Sequence, residues 1–146
     1  MFWDAQGFLL IDYLRLVKTI TGNYYAQLIA KLRIAIKENR RGMLSRGVLL
    51  NQDNAPVHKS AVAMAAIKDA GFELVDHPPY FPDLAPSYFR LFPNLKKHLR
   101  GQRFGDNSEV IEAVNAYFEG LPKSFFLEGI TALEHRVAKC IANQRD

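Results

Sequence analysis

Residues 48–75 read VLLNQDNAPVHKSAVAMAAIKDAGFELV, in which a short apolar segment precedes a helical pattern and a second apolar segment follows it. Residues 48–53 are expected to form a strand that ends in polar residues, and residues 72–75 a second strand. Between them, Ser60 is expected to cap a helix that Gly71 closes. Two strands joined by one helix favour a parallel pair, so this stretch predicts an α/β fold. The predicted buried residues of the helix are Val62, Ala63, Ala66, Ile67 and Ala70.

Upstream of this stretch the sequence predicts a hairpin and a helix. Residues 2–3 and the dense apolar run 8–14 are separated by a turn that contains glycine, which is typical of two paired strands. Asn23 is expected to cap the helix, which should end near Gly42. Apolar residues recur in it at helical spacing and form its predicted buried stripe: Tyr25, Leu28, Ile29, Leu32 and Ile36.

Downstream the sequence predicts a stiff loop and three helices. Four prolines fall among the nine residues 78–86, so this loop should be extended. A helix over residues 88–99 follows, in which Pro93 should kink or delay the helix because proline has no N–H. Ser108 and Ser124 are expected to cap the last two helices. Their predicted buried residues are Ile111, Val114 and Phe118, and then Phe126, Ile130, Leu133, Val137 and Ile141.

The composition fits one globular domain over residues 1–146. Hydrophobic residues make up 49% of the chain, which is too many for a disordered protein. Cys140 is the single cysteine, which excludes a disulfide scaffold, and the four histidines show no metal-ligand spacing. No apolar run is long enough to cross a bilayer, so no membrane partner is expected.

Basic residues are concentrated in two stretches of the chain. Residues 1–52 hold eight Lys and Arg against three acids, and residues 89–105 hold five with no acid, although the net charge is only +4. Such clusters indicate a polyanion partner, and nucleic acid before a membrane. A solvated surface without a binding role is the alternative. The candidate phosphate-binding residues are His58, Lys59, Lys96, Lys97, Arg100 and Arg103.

Asp53 is the candidate catalytic and metal-binding residue. It lies at the carboxyl end of a predicted strand, where open α/β sheets place their sites. A carboxylate there, beside a basic surface, suits Mg²⁺ in phosphoryl transfer on DNA. An aspartate that only forms a turn is the alternative.

Longer strings resemble the catalytic domain of mariner-family transposases, and the likeness extends from WDAQG at residues 3–7 to EHRVAKC at 134–140. The resemblance implies an RNase H-like fold, a mixed sheet flanked by helices, of which residues 1–146 would be a part that lacks the first strand or strands. It also implies DNA as the partner and a nuclear location. The strings that carry it are DNAPVH at 53–58, HPPYFPDLAPS at 77–87 and QRF at 102–104.

The resemblance also assigns roles to individual residues. Members of the family hold two Mg²⁺ or Mn²⁺ ions with three aspartates, of which the second corresponds to Asp53. The third follows after 34 intervening residues, which places it at position 88, and position 88 is Tyr88. A phenol is neutral at pH 7 and does not replace a carboxylate ligand. The first aspartate has no counterpart, since Asp4 matches a non-catalytic aspartate of the family's hairpin.

The expected function is therefore a transposase remnant that neither cuts nor joins DNA and retains weak, nonspecific nucleic-acid binding. One alternative is a segment of an active metal-dependent transposase or endonuclease that receives its missing ligands from a longer protein. Another is a domesticated interaction domain, as in the family's fusions to a SET methyltransferase, in which helices over 108–119 and 124–141 form a homodimer or a docking surface.

Overall fold

The computed structural model describes residues 1–13, 20–52, 55–75 and 86–144. Their contacts group the chain into two compact units, Met1–His77 and Pro78–Asp146. The elements of the first unit are β1 (Phe2–Asp4), β2 (Gly7–Leu10), α1 (Gly22–Asn39), α2 (Met43–Arg46), β3 (Val48–Leu50), a 3₁₀ helix (Pro56–Lys59), α3 (Ala61–Asp69) and β4 (Phe72–Leu74). Those of the second are a π-helix (Ser87–Leu91), α4 (Phe92–Leu99), α5 (Asn107–Glu119) and α6 (Lys123–Gln144).

The strands form two pairs of opposite kind. β1 and β2 are antiparallel, with Trp3 opposite Phe8, which confirms the hairpin. β3 and β4 are parallel, with Val48 opposite Phe72, and α3 lies between them in the chain, which confirms the α/β class. A mixed sheet contains antiparallel and parallel strand pairs, and both kinds are present. Within the described residues, however, they form two separate two-stranded sheets. β3 ends at Leu50, three residues before Asp53, which lies outside the described residues.

α1 buries the predicted stripe completely. All five of its members are buried, and Ile29 and Ile36 are 0% and 1% exposed. The stripe packs with Ala63 and Ile67 of α3 and with the ends of β3 and β4 in one core. Each large aliphatic side chain buried in this way contributes about 1.5–3 kcal/mol. The prediction that Val62 is buried was wrong, because it lies beside the α3 face that carries Ala63 and is 46% exposed.

The start of α1 approaches the start of α3 closely. A Cβ added at Gly22 would lie 2.5 Å from the Oγ of Ser60, a separation that real Cβ atoms essentially never show. Ser60 caps α3 as predicted, since its Oγ accepts the N–H of Ala63 at 3.2 Å. Gly22 therefore leaves the room that the capping serine occupies.

The cap of α1 differs from the prediction. Thr21, and not Asn23, is the capping residue, and its Oγ1 accepts the N–H of Tyr24 at 3.1 Å. The helix begins two residues earlier than the apolar stripe indicated, so Asn23 lies in its first turn. Threonine and asparagine both cap helices well, so the sequence alone does not show which of the two is the capping residue.

The caps of the last two helices also differ from the prediction. Asp106, and not Ser108, caps α5 by accepting the N–H of Glu109 at 3.0 Å. The Glu109 carboxylate in turn accepts the N–H of Gly105. Side chains thus accept two backbone N–H groups at this end, where a helix offers no carbonyl partner. α6 begins one residue before Ser124, which therefore lies within the helix.

The helical segment around Pro93 starts as a π-helix. The N–H of Phe92 donates to the carbonyl of Ser87, five residues back. Pro93 follows in the first turn of α4, where its missing N–H removes no α-helical bond. The proline thus delays the α-helix as predicted, and the wide turn precedes it. Of the predicted extended loop 78–86, only Pro86 is described, and its backbone is helical, with φ −58° and ψ −24°.

The second unit buries fewer of its predicted residues than the first. Val114, Phe118 and Phe126 are buried, together with Leu91. The side chain of Ile141 lies outside the described part of α6. None of the helices in the described ranges is both long and apolar enough to cross a membrane. Four residues that were predicted to be buried are only half-buried: Ile111, Ile130, Leu133 and Val137.

The capping of α5 can be tested by a matched pair of substitutions. Asp106→Ala is expected to lower the free energy of unfolding by about 1 kcal/mol, because it removes the acceptor for the Glu109 N–H. Ser108→Ala is expected to change it by less than about 0.5 kcal/mol. Urea denaturation followed by circular dichroism measures both. A larger loss for Ser108→Ala would contradict the assignment of the cap.

Candidate nucleic-acid interface and metal position

The residues that flank Asp53 are held by Tyr25 of α1. The Tyr25 hydroxyl donates to Oε1 of Gln52 at 2.6 Å, and Nε2 of Gln52 donates to the His58 carbonyl at 3.4 Å. The imidazole of His58 stacks on the Tyr25 ring, with the ring centroids 4.2 Å apart. Tyr25 is only 4% exposed, so a core residue fixes both the segment after β3 and the 3₁₀ helix Pro56–Lys59.

This arrangement gives His58 a structural role. Its ring is half-buried against Tyr25, whereas the neighbouring Lys59 is exposed. Phosphate binding at either residue stays a prediction. The sequence did not predict Tyr25 and Gln52 as neighbours of the candidate site, because a tyrosine in an aliphatic stripe indicates a core residue. Its hydroxyl, which needs a partner when buried, was the available signal.

Position 88 lies in the π-helix, and the residues that follow it are clamped onto α6. Nε of Arg90 donates to the Phe125 carbonyl at 2.8 Å, and its Nη2 donates to Glu128 at 2.7 Å. The same guanidinium lies 4.3 Å from the centroid of the Phe125 ring. Arg136 of α6 lies 3.9 Å from the centroid of the Phe89 ring. Two arginine–aromatic contacts, each contributing about 0.5–1 kcal/mol or more, thus hold this turn.

Four of the six predicted phosphate-binding residues lie in one stretch, the end of α4 and the turn after it. We name Lys96, Lys97, Arg100 and Arg103 the basic cluster. All four are exposed, and none forms an ion pair within the described ranges. The turn is ordered by Gly101, whose φ of +82° suits glycine, and by Gln102, whose Nε2 donates to the His98 carbonyl at 2.8 Å.

An aromatic pair lies beside the basic cluster. The imidazole of His98 stacks on the ring of Tyr117 from α5, with centroids 4.5 Å apart and planes 24° apart. Tyr117 is half-buried and in turn contacts the buried Phe118, while His98 is exposed. His98 therefore lies within the stretch of chain, residues 96–103, that carries the four cations.

Asp4, the other acid considered in the sequence, has a structural partner. Its Oδ2 accepts from Nε of Arg40 at 2.9 Å and its Oδ1 from Nη2 at 3.1 Å, while Oδ1 also accepts the N–H of Gln6. This bidentate pair joins the β1–β2 turn to the end of α1. Its carboxylate is thereby committed to the hairpin. Among the described residues there is no group of three or more His, Cys, Asp or Glu side chains that could hold a metal ion.

Comparison with known proteins finds similarity to transposases. Residues 1–46 match the family model described as Transposase (partial DDE domain). The chain is 30% identical over 142 residues to the Histone-lysine N-methyltransferase SETMAR of Homo sapiens, covering 97% of this chain and 21% of that protein. It is 29% identical over 145 residues to the Mariner Mos1 transposase of Drosophila mauritiana, covering 98% of this chain and 42% of that protein.

The solved structures of the Mos1 catalytic domain show the same fold. Those with raltegravir and Mn or Mg superpose with a TM-score of 0.88 at 29% identity, over 97% of this chain and 72% or 71% of theirs. Together these similarities support a fragment of a mariner-type transposase catalytic domain. This similarity confirms the RNase H-like fold that the sequence strings implied. The chain spans less than half the length of the two curated relatives above, at 21% and 42%.

The link between the core of the first unit and the segment after β3 can be tested at Tyr25. Tyr25→Phe keeps the ring but leaves Oε1 of Gln52 without the hydroxyl donor, and is expected to lower the free energy of unfolding by about 1–2 kcal/mol. Tyr117→Phe, at a tyrosine that stacks through its ring, is the control and should cost less than about 0.5 kcal/mol. Equal stability of Tyr25→Phe and the wild type in urea would contradict the proposed link.

Proposed function

We propose that this mariner catalytic-domain chain binds DNA nonspecifically through the basic cluster and does not cut or join it. The observation that carries the proposal is the exposure of four cations at one end of α4, none of them neutralised by an ion pair within the described part of the chain. Cations that have no acidic partner are available to phosphate groups.

The strength of the binding follows from the number of phosphates that are contacted. If all four residues of the basic cluster reach phosphates on a duplex, the logarithm of the binding constant falls with the logarithm of the salt concentration at a slope of about −3 to −4. Contacts of this kind carry no sequence information, because they are made to the backbone. The similarity to a transposase supports DNA as the polyanion, and nuclear localisation is part of the same proposal.

The absence of cutting rests on the donor set. The related Mos1 catalytic domain was solved with Mn and with Mg. In this chain the two positions that correspond to family ligands supply one carboxylate, Asp53, and one phenol, Tyr88. Two divalent ions held close together need several anionic oxygens to offset their repulsion. A single carboxylate with a neutral phenol does not fit such a pair, so no metal-dependent step is assigned to this chain.

The interaction alternative has less support. Large apolar side chains at the centre of an interface are typical of stable dimers. Over the described parts of α5 and α6, Leu127, at 55%, is the single large hydrophobic side chain that is exposed. The similarity to SETMAR is compatible with a fusion to a methyltransferase.

The binding proposal predicts a change in salt dependence. A double variant, Lys96→Ala with Lys97→Ala, is expected to weaken binding to duplex DNA equally for unrelated sequences and to reduce the salt slope by about 2. Lys123→Ala, which removes a charge from the same unit outside the basic cluster, is expected to change the slope by much less than 1. Fluorescence anisotropy across a salt series measures both. Equal effects per charge at Lys123 and in the cluster would contradict the assigned surface.

The catalytic proposal is tested by nicking of supercoiled DNA. With Mg²⁺ or Mn²⁺ present, the wild-type chain is expected to nick no faster than Asp53→Ala, because a single anionic ligand does not assemble the metal pair. Isothermal titration with Mn²⁺ should likewise give the same weak heats for both. Nicking that depends on the metal and disappears in Asp53→Ala would establish the active-nuclease alternative instead.

A further inference from the structure

The stacked pair formed by His98 and Tyr117 has no part in phosphate neutralisation. Duplex DNA presents its phosphates outward and keeps the faces of its bases inside the helix, so a protein ring beside a basic surface gains nothing from the interior of a duplex. An unpaired base, by contrast, offers an open face that stacks on protein rings. We propose that the His98–Tyr117 pair, with the basic cluster, forms a binding surface for single-stranded DNA. This inference rests on the proposed function.

The geometry supplies a stacking surface that is ordered before DNA arrives. The two rings are 24° from coplanar with centroids 4.5 Å apart, so Tyr117 supports one face of the imidazole. Tyr117 is backed by Phe118, 5% exposed, with ring centroids 6.0 Å apart. His98 is nevertheless exposed, which leaves part of its ring accessible to a base. Ordering in the free protein lowers the entropy cost of binding.

The cations lie next to this surface along the chain. Lys97 precedes His98, Arg100 follows two residues later, and Gln102 binds the His98 carbonyl, so the turn with Arg103 is tied to the same histidine. Single-strand binding surfaces combine these two parts, a basic track for the backbone and rings for the bases. An acidic peptide matches the cations but offers no base to the rings, which makes single-stranded DNA the better match.

Anisotropy titrations with three labelled probes test the inference: a single-stranded oligonucleotide, the corresponding duplex, and an abasic oligonucleotide with the same number of phosphates. His98→Ala is expected to weaken binding of the base-bearing single strand by about fivefold to a hundredfold, the range measured for loss of one stacked base. Binding of the duplex and the abasic strand should change by less than about twofold. His98→Phe keeps an aromatic face and is expected to restore the single-strand affinity.

A base analogue whose fluorescence falls on stacking, such as 2-aminopurine, gives a second readout, and its quenching on binding should be absent with His98→Ala. A uniform weakening of all three probes by His98→Ala, with no rescue by phenylalanine, would mean that the histidine does not stack on a base. The inference would then be overturned, while binding through the basic cluster would stand. If none of the probes binds the wild-type chain, the proposed function itself is overturned. Thermal melts of both variants confirm that they fold.

Discussion

Burial of one face of α1 is the constraint on which the first unit depends. The hairpin, α3 and the ends of β3 and β4 all pack against that face, so each element is placed by its contact with the same five side chains. The ring of Tyr25 packs in this core, and its hydroxyl donates a hydrogen bond to Gln52, the residue before the candidate catalytic aspartate. The packing of the core and the position of Gln52 are therefore coupled through one residue. The Asp4–Arg40 pair closes the opposite end of α1 onto the hairpin turn.

The sequence predicted those features that depend on apolar periodicity or on long strings. The α1 stripe, the parallel pair across α3 and the mariner relationship are of this kind. Details that depend on competition between neighbouring polar residues were not predictable: Thr21 and Asp106 cap helices that Asn23 and Ser108 were expected to cap. The π-helix before Pro93 was also missed, because a proline indicates that a helix is disturbed but not how the chain accommodates it.

The charge distribution acquires a different meaning once contacts are known. In the stretch 89–105, Arg90 is engaged by Phe125 and Glu128, and only the remaining four cations are available to a ligand. In the stretch 1–52, Arg40 is likewise paired within the fold. Two stretches of equal formal charge thus include arginines that hold the protein together. The sequence shows where basic residues are concentrated. The contacts show which of them are paired within the fold and which are exposed and available to a ligand.

Arg90 and Arg136 hold the π-helix around residue 88, the position at which the resemblance to mariner transposases implies a metal-binding aspartate and this chain has tyrosine. A single base change is enough to exchange aspartate for tyrosine, because the codons of the two residues differ only in their first base. The described contacts that hold this turn come from residues 89, 90, 125, 128 and 136. Under the proposed function, a single base change can remove a metal ligand, while the contacts that hold the turn are encoded at other positions of the sequence.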